Sequence, residues 1–443
     1  MLKSKTMTRQ IAKEYRMWRK ISSYNKGNGS MAKFPSTQFK LQRALIITKF
    51  SRYEFEQMRY PQLSREQLEK KLRDRGTDFE MLMYLHNLHK DFERNVVQSF
   101  LNVGCEVKVA NRVEFRSSLS KEIMKWADLI VPVGGDGTFL LAAGRASPLF
   151  AQSQQKTPIV GFNSDPQRSE GRLMLPKHYT ENTADAVFKI KSGDFQWMYR
   201  TRIRTSILGS NGKIPESTDL YRHTVTKMEQ EKTEPEYLSK VWSLRYKAKM
   251  KRVLPYLALN EVFIGEQLSA RVSHLQLVIN HENVDNKTKC SGLCVSTGTG
   301  STSWHTSINR ITSQQVEDLL SILPIPDPVY AKPKPIFDSD EIATQYNQNL
   351  RFSPDDPRLC YSIREQICVG VWPSPRNFKA RKFVNSLFVK SRCIDASVKY
   401  NKSANDLLFF QILLLMVAYH IHSMMGRRRC WKYTQKIHYL PYP

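Results

Sequence analysis

The run Ala127-Asp-Leu-Ile-Val-Pro-Val133 opens directly into Gly134-Gly-Asp-Gly137 and then into Thr138-Phe-Leu-Leu-Ala-Ala143. Apolar residues, then glycines, then small and apolar residues at helical spacing read as strand, tight turn and helix. Such a unit leaves bare backbone N–H groups near the positive end of a helix dipole, where a phosphate can sit. Gly134, Gly135 and Gly137 permit turn conformations and close approach of a ligand. Asp136 is the odd member, because its charge opposes phosphate binding. It makes sense if it takes a proton from an attacking hydroxyl or holds a magnesium ion. That reading makes the loop a site of phosphoryl transfer. A plain strand-to-helix turn with Asp as N-cap is the competing reading.

The surroundings favour the first. Ala44-Leu-Ile-Ile-Thr-Lys49 reads as a buried first strand, and Ser64 with Gln67 forms a capping box for a polar helix. An amphipathic helix is expected from Asp78 to Val103, with Leu82, Leu85, Leu88, Phe92, Val96 and Phe100 along one side. Short strands at 105–110, 128–133 and 158–163 alternate with helices at 118–126 and 138–145. Alternation of this kind implies a parallel sheet covered on both faces, with ligands at the carboxyl ends of its strands.

Beyond residue 195 the pattern changes to strands at 197–207, 241–246, 257–264 and 275–279, with a polar insertion over 209–239. One helix is expected at 313–322, followed by a proline-rich loop. The expected class is α/β, a Rossmann-like N-terminal domain (42–194) followed by a β-rich, sandwich-like domain (195–397).

A net charge of +27 admits nucleic acid, an anionic membrane, anionic small substrates or an organelle address as its cause. The Lys and Arg residues are spread along the chain and no zinc-finger or RNP signature is present, so no nucleic-acid partner is expected. Seven cysteines are odd in number and scattered, which points to reduced thiols rather than a disulfide framework. Residues 1–41 are rich in Lys and Arg, hold one acid (Glu14) and place Ile11, Tyr15, Trp18 and Ile21 on one helical face. This is the pattern of a mitochondrial transit peptide, with a disordered basic tail as the alternative.

Two further segments carry chemistry. Asn260-Glu261 interrupts the apolar run from Leu257 to Ile264, and an amide beside a carboxylate could hold ribose hydroxyls or a base edge. Ser296-Thr-Gly-Thr-Gly-Ser-Thr-Ser-Trp304 combines hydroxyl donors, two glycines and one ring that could stack on a base. A polar strand end and a packed polar turn are the structural alternatives, and His305 reads as a loop histidine.

In order and spacing the three clusters resemble the NAD kinase family, most nearly its mitochondrial branch. The resemblance spans roughly residues 42–397 and includes Gly161-Phe-Asn-Ser-Asp-Pro166 with Ser169-Glu-Gly171. It implies ATP-dependent phosphorylation of the 2′-hydroxyl on the adenosine ribose of NAD, with ATP as donor, Mg2+ screening its charge, and NAD as substrate. It implies that Asp136 orients or deprotonates that hydroxyl, that Gly134, Gly135, Gly137 and Thr138 hold phosphates, and that Asn163, Asn260 and Glu261 contact the nucleotide. Thr299, Gly300, Ser301, Thr302 and Trp304 would shape the dinucleotide pocket. A homodimer in the mitochondrial matrix is implied in the same way. Lipid kinases share the Gly-Gly-Asp-Gly loop, so a diacylglycerol or sphingosine kinase is the alternative, as is an inactive nucleotide-binding homologue.

The likeness stops after Ser397. The apolar run Leu407 to Tyr419, with its flank to Met425 and Gly426-Arg-Arg-Arg429, has three readings. It is a tail from a retained intron or shifted frame, a buried C-terminal helix, or a membrane anchor somewhat short of the ~20 residues a span needs. Membrane contact is expected only in the last case.

Overall fold

The computed structural model describes residues 39–111, 114, 120–152, 157–209, 251–254, 257–266, 271–280, 286–323, 338–371, 378–392 and 412–426. The basic N-terminus, the strand expected at 241–246, the polar insertion beyond 209 and the proline-rich loop lie outside them.

The first half follows the expected alternation. Strand β1 (Arg43–Thr48) leads into α1 (Arg52–Arg59), α2 (Arg65–Asp74) and α3 (Phe79–Asn102), then β2 (Glu106–Asn111). Next come α4 (Ser120–Trp126), β3 (Leu129–Gly134), α5 (Asp136–Gln152), β4 (Phe162–Asn163), α6 (His178–Glu181) and α7 (Thr183–Ser192). The four strands are parallel in the order β2-β1-β3-β4. β1 and β3 are central and almost wholly buried, which is why they read as unbroken apolar runs. Ser64 and Gln67 form the expected capping box at α2.

The apolar stripe of α3 differs from expectation at one turn. Leu88 is exposed and His89 is buried. The His89 ring reaches Thr48 Oγ1 at 3.1 Å and the Lys49 carbonyl at 3.2 Å, so the polar end of β1 selects a polar partner there. Burial pushes the imidazole down to about 4, leaving it neutral at physiological pH.

The second half is antiparallel. It comprises β5 (Phe195–Gly209), β6 (Lys251–Val253), β7 (Glu261–Ile264), β8 (Ser273–Ile279), β9 (Asn286–Cys290) and β10 (Gly292–Ser296). A 3-10 turn (Thr299–Thr302) and helices α8 (Trp304–Asn309), α9 (Ser313–Ser321) and α10 (Ser339–Asn349) follow. The last strands are β11 (Leu359–Arg364), β12 (Arg381–Val384), β13 (Ser386–Ser391) and β14 (Ile412–Gly426). One sheet has the order β12-β11-β10-β7 and the other β6-β5-β14-β13-β8-β9. Ile203, Leu275 and Leu277 from the second sheet meet Leu293, Val295 and Tyr361 from the first in a shared core. Leu257 and Leu259 instead join the core of the parallel half, so the chain just before β7 ties the halves together.

The C-terminal apolar run is neither of the helices expected for it. Ile412–Gly426 is a strand paired on one side with β5 and on the other with β13. A central strand reads as a continuous apolar run, and periodicity alone does not separate that from a buried helix. No described helix is long and apolar enough to cross a membrane.

Candidate active site

The Gly-Gly-Asp-Gly loop lies where the sequence places it, between the end of β3 and the start of α5. The Gly135 carbonyl accepts from the Thr138 and Phe139 amides at 2.9 and 3.3 Å and so begins the helix. The amides of Asp136 and Gly137 precede the first helical bonds and remain available to a ligand. Gly134 is needed sterically, since a Cβ there would fall 2.5 Å from Thr138 Oγ1. At Gly137 nothing lies within 4 Å of such an atom.

Asp136 stands in the first turn of α5. Its Oδ1 accepts from the Leu173 amide at 2.8 Å and its Oδ2 from the Arg172 amide at 3.1 Å. A carboxylate has about four acceptor sites, so both oxygens keep capacity for a substrate proton. The loop that supplies these amides is braced by Asn163. Its Nδ2 donates to the Ser169 carbonyl at 2.9 Å, and its Oδ1 accepts from the Asp165 amide at 3.1 Å. Gly171, at φ +60°, approaches so closely that a Cβ would sit 2.4 Å from Asn163 Nδ2. Asn163 is 2% exposed, and its amide is used inside the loop rather than in the cleft.

The β-rich half supplies the facing wall. The Asn260 carbonyl accepts from the Thr297 amide at 2.9 Å. Gly300 lies against the Asn260 backbone, 2.2 Å from its oxygen to a would-be Cβ, and Gly298 lies tighter still on Ser353, at 1.7 Å. Glycine at 298 and 300 therefore lets the 3-10 turn pack beside Asn260. Asn260 Nδ2 donates to Ser303 Oγ at 3.3 Å, while its Oδ1 is buried with no partner among the described residues. Glu261 Oε2 is in the same state, and burial pushes the carboxyl up to about 7. Ser301 turns inward, donating to the Gly298 carbonyl and accepting from the Phe352 amide.

A cleft of about 230 Å³ joins the two walls. Asp136, Leu140, Glu170, Arg172 and Leu173 line it from the parallel half, and Asn260, Thr299, Thr302 and Ser303 from the other. Glu261 and Trp304 are not among its lining residues. Trp304 is half exposed and packs edge-on against Phe263 with ring centroids 4.6 Å apart. His305, read from sequence as a loop histidine, is a buried residue of α8 that meets Ser362 Oγ at 3.1 Å. Burial pushes it down to about 4.

Sequence pattern does not single out three cations that contact the elements of the site. Lys49, at the end of β1, packs its stem on Gly134, and its ammonium has no hydrogen bond or ion pair among the described residues. Burial lowers its pKa, partly offset by Asp165. Arg200 and Arg202 occupy one face of β5 and are almost wholly buried. Arg200 Nη1 donates to Thr299 Oγ1 at 3.2 Å, and Arg202 Nη1 donates to the Ala143 carbonyl at 2.9 Å. Alternating arginines in a strand look like a solvated face, and only the fold reveals the carbonyl and hydroxyl that receive them.

No protein-family model matches the chain. It is 35% identical to NAD kinase 2, mitochondrial, of Rattus norvegicus over 368 residues, covering 81% of this chain and 80% of the relative. The Homo sapiens protein of the same name is also 35% identical, over 81% of this chain and 77% of the relative. The chain belongs to the NAD kinase family. A solved yeast NADH kinase complexed with NADH shares 12% identity over 90% of each chain, with a TM-score of 0.48, too loose a likeness to add to the sequence match. Within the family assignment, each of the three sequence clusters brings a residue to one cleft: Asp136, Asn260 without Glu261, and Thr299, Thr302 and Ser303. Leu140, Glu170, Arg172 and Leu173 complete its lining.

Proposed function

We propose that this chain transfers the terminal phosphoryl group of ATP to the 2′-hydroxyl of the adenosine ribose of NAD, giving NADP and ADP. The observation that carries the reading is the shared cleft, in which Asp136 stands with Asn260, Thr299 and Thr302 although they are far apart in sequence.

Asp136, fixed by the Arg172 and Leu173 amides, takes the proton of the ribose hydroxyl. The ribose oxygen bonds to the γ-phosphorus as the bond from that phosphorus to the bridging oxygen of ADP breaks. The bare amides at the start of α5 and the Lys49 ammonium face the phosphate charge, and such positioning and neutralisation supply most of the catalysis in phosphoryl transfer. Among the described residues no group of three or more His, Cys, Asp or Glu could cage a metal. A magnesium ion accompanying ATP would be held beside Asp136 and Glu170, the carboxylates lining the cleft, and would neutralise phosphate charge. The unpartnered Oδ1 of Asn260, a residue of the cleft wall, is an acceptor for an NAD hydroxyl, whereas Glu261 stands behind that wall.

Only Leu140 and Leu173 give the cleft an apolar lining, which favours a ribose over an alkyl chain as the acceptor. The pairing of β14 on both edges favours a working enzyme over an inactive homologue. The relatives are named mitochondrial, and with the basic amphipathic N-terminus this supports a mitochondrial matrix location; a homodimer rests on the family resemblance. The test offers the purified chain γ-labelled ATP-Mg with NAD, diacylglycerol and sphingosine together. Label is expected in NADP. Label in a lipid, or in no acceptor, overturns the reading.

A further inference from the structure

Arg200 is 5% exposed and has no carboxylate salt bridge among the described residues. A buried cation is expensive and is usually tied to a specific task. Its Nη1 donates to Thr299 Oγ1 at 3.2 Å, its guanidinium lies 6.0 Å from the Phe139 ring centroid, and its Nε is buried with no partner among the described residues. Burial brings its pKa down to about 10, with the charge of Asp136 opposing the shift, so it stays protonated at neutral pH.

A guanidinium only donates, and a threonine hydroxyl has a single proton to give. Thr299 must therefore accept from Arg200 and point its own O–H elsewhere. No other hydrogen bond of that hydroxyl exists among the described residues, and Thr299 lines the cleft beside Asp136.

We propose that Arg200 is a positioning residue that commits the Thr299 hydroxyl to donate into the cleft, to an acceptor oxygen of the bound dinucleotide. This rests on the NAD kinase reading and adds a direction to one of its contacts. It also explains an arginine at this position. The planar fork aims one N–H at Thr299 while the charge stays delocalised, which a lysine ammonium does not reproduce.

The test is a double-variant cycle in the full chain, read as NAD affinity by calorimetry, KM for NAD and for ATP, kcat and Tm. Thr299→Val removes the hydroxyl at nearly constant shape and is expected to weaken NAD about tenfold, the size of one hydrogen bond. The KM for ATP should change little, while the Tm falls, because Arg200 loses its acceptor. Thr299→Ser restores NAD affinity to within about twofold of the parent, because it still accepts and donates. Arg200→Gln weakens NAD to a similar degree, Arg200→Lys recovers part of it, and Arg200→Gln with Thr299→Val is no worse than either alone. Effects that multiply, an unchanged NAD affinity in Thr299→Val, or a shift confined to ATP each overturn the proposal. Should the Arg200 variants fail to fold, the valine–serine contrast decides, since unchanged affinity removes the donor that Arg200 is said to direct. Calorimetry reads the cycle even if no NADP forms, so failure of the kinase reading is told apart from failure of this one.

Discussion

The two glycine-rich segments of this protein look alike in sequence and differ in what their glycines do. In the loop after β3, Gly137 faces open space and lies beside amides that no helical bond uses. In the turn after β10, Gly298 and Gly300 are pressed onto the backbones of Ser353 and Asn260. At Gly137 the first segment leaves room for a ligand, while its Gly134 is packed against Thr138. The second closes the wall on which Asn260, Thr299 and Thr302 are mounted. Glycine thus marks either a ligand's approach or a neighbouring chain's approach, and only the packing tells which.

The largest expected effect falls on the side that does chemistry. Asp136→Asn should lower kcat by about 10²–10⁴-fold, the usual worth of a positioned base, while NAD affinity by calorimetry stays within about twofold. Turnover at the parent rate would remove Asp136 from the reaction.

Glycine variants sharpen the contrast itself. Gly300→Ala should destabilise by about 1–3 kcal/mol, because a Cβ cannot share space with the Asn260 carbonyl. Gly137→Ala should leave stability within about 1 kcal/mol and raise the KM for ATP. Thermal melts and ATP titrations of both variants check this, and equal losses of Tm would erase the distinction.

Glu261 gives a pH signature. Its carboxyl is raised by burial from the ordinary 4.5 to about 7. Between those values the folded protein holds a proton that the unfolded chain has released, so stability falls as pH rises through that window. Glu261→Gln removes this contribution, and its Tm should gain on the parent between pH 4.5 and 7 and then hold level. A constant difference across that range would contradict the assignment. The smallest effect is expected at Trp304, whose ring is half exposed against Phe263 rather than lining the cleft. Trp304→Phe should change the KM for NAD by less than about threefold, a shift below one hydrogen bond.

Much of this was legible in the sequence. The strand–helix alternation produced the parallel sheet, and the glycines around Asp136 marked the end of β3. What stayed hidden depends on partners distant in sequence. Arg200 and Arg202 resemble an exposed strand face until Thr299 and the Ala143 carbonyl are seen to meet them. His89 replaces Leu88 at the α3 interface because of the polar end of β1. The apolar run at 412–426 is ambiguous between helix and strand until β5 and β13 present their edges. The loop carrying Arg172 and Leu173 contributes backbone amides, which no side-chain pattern announces.

A crystal structure of the full chain with NAD bound tests the central claim most directly. The account predicts the 2′-oxygen of the adenosine ribose within about 2.6–3.2 Å of an Asp136 carboxylate oxygen, with the dinucleotide against Asn260 and Thr299. A dinucleotide seated away from Asp136, or one presenting a different hydroxyl to it, would contradict the account.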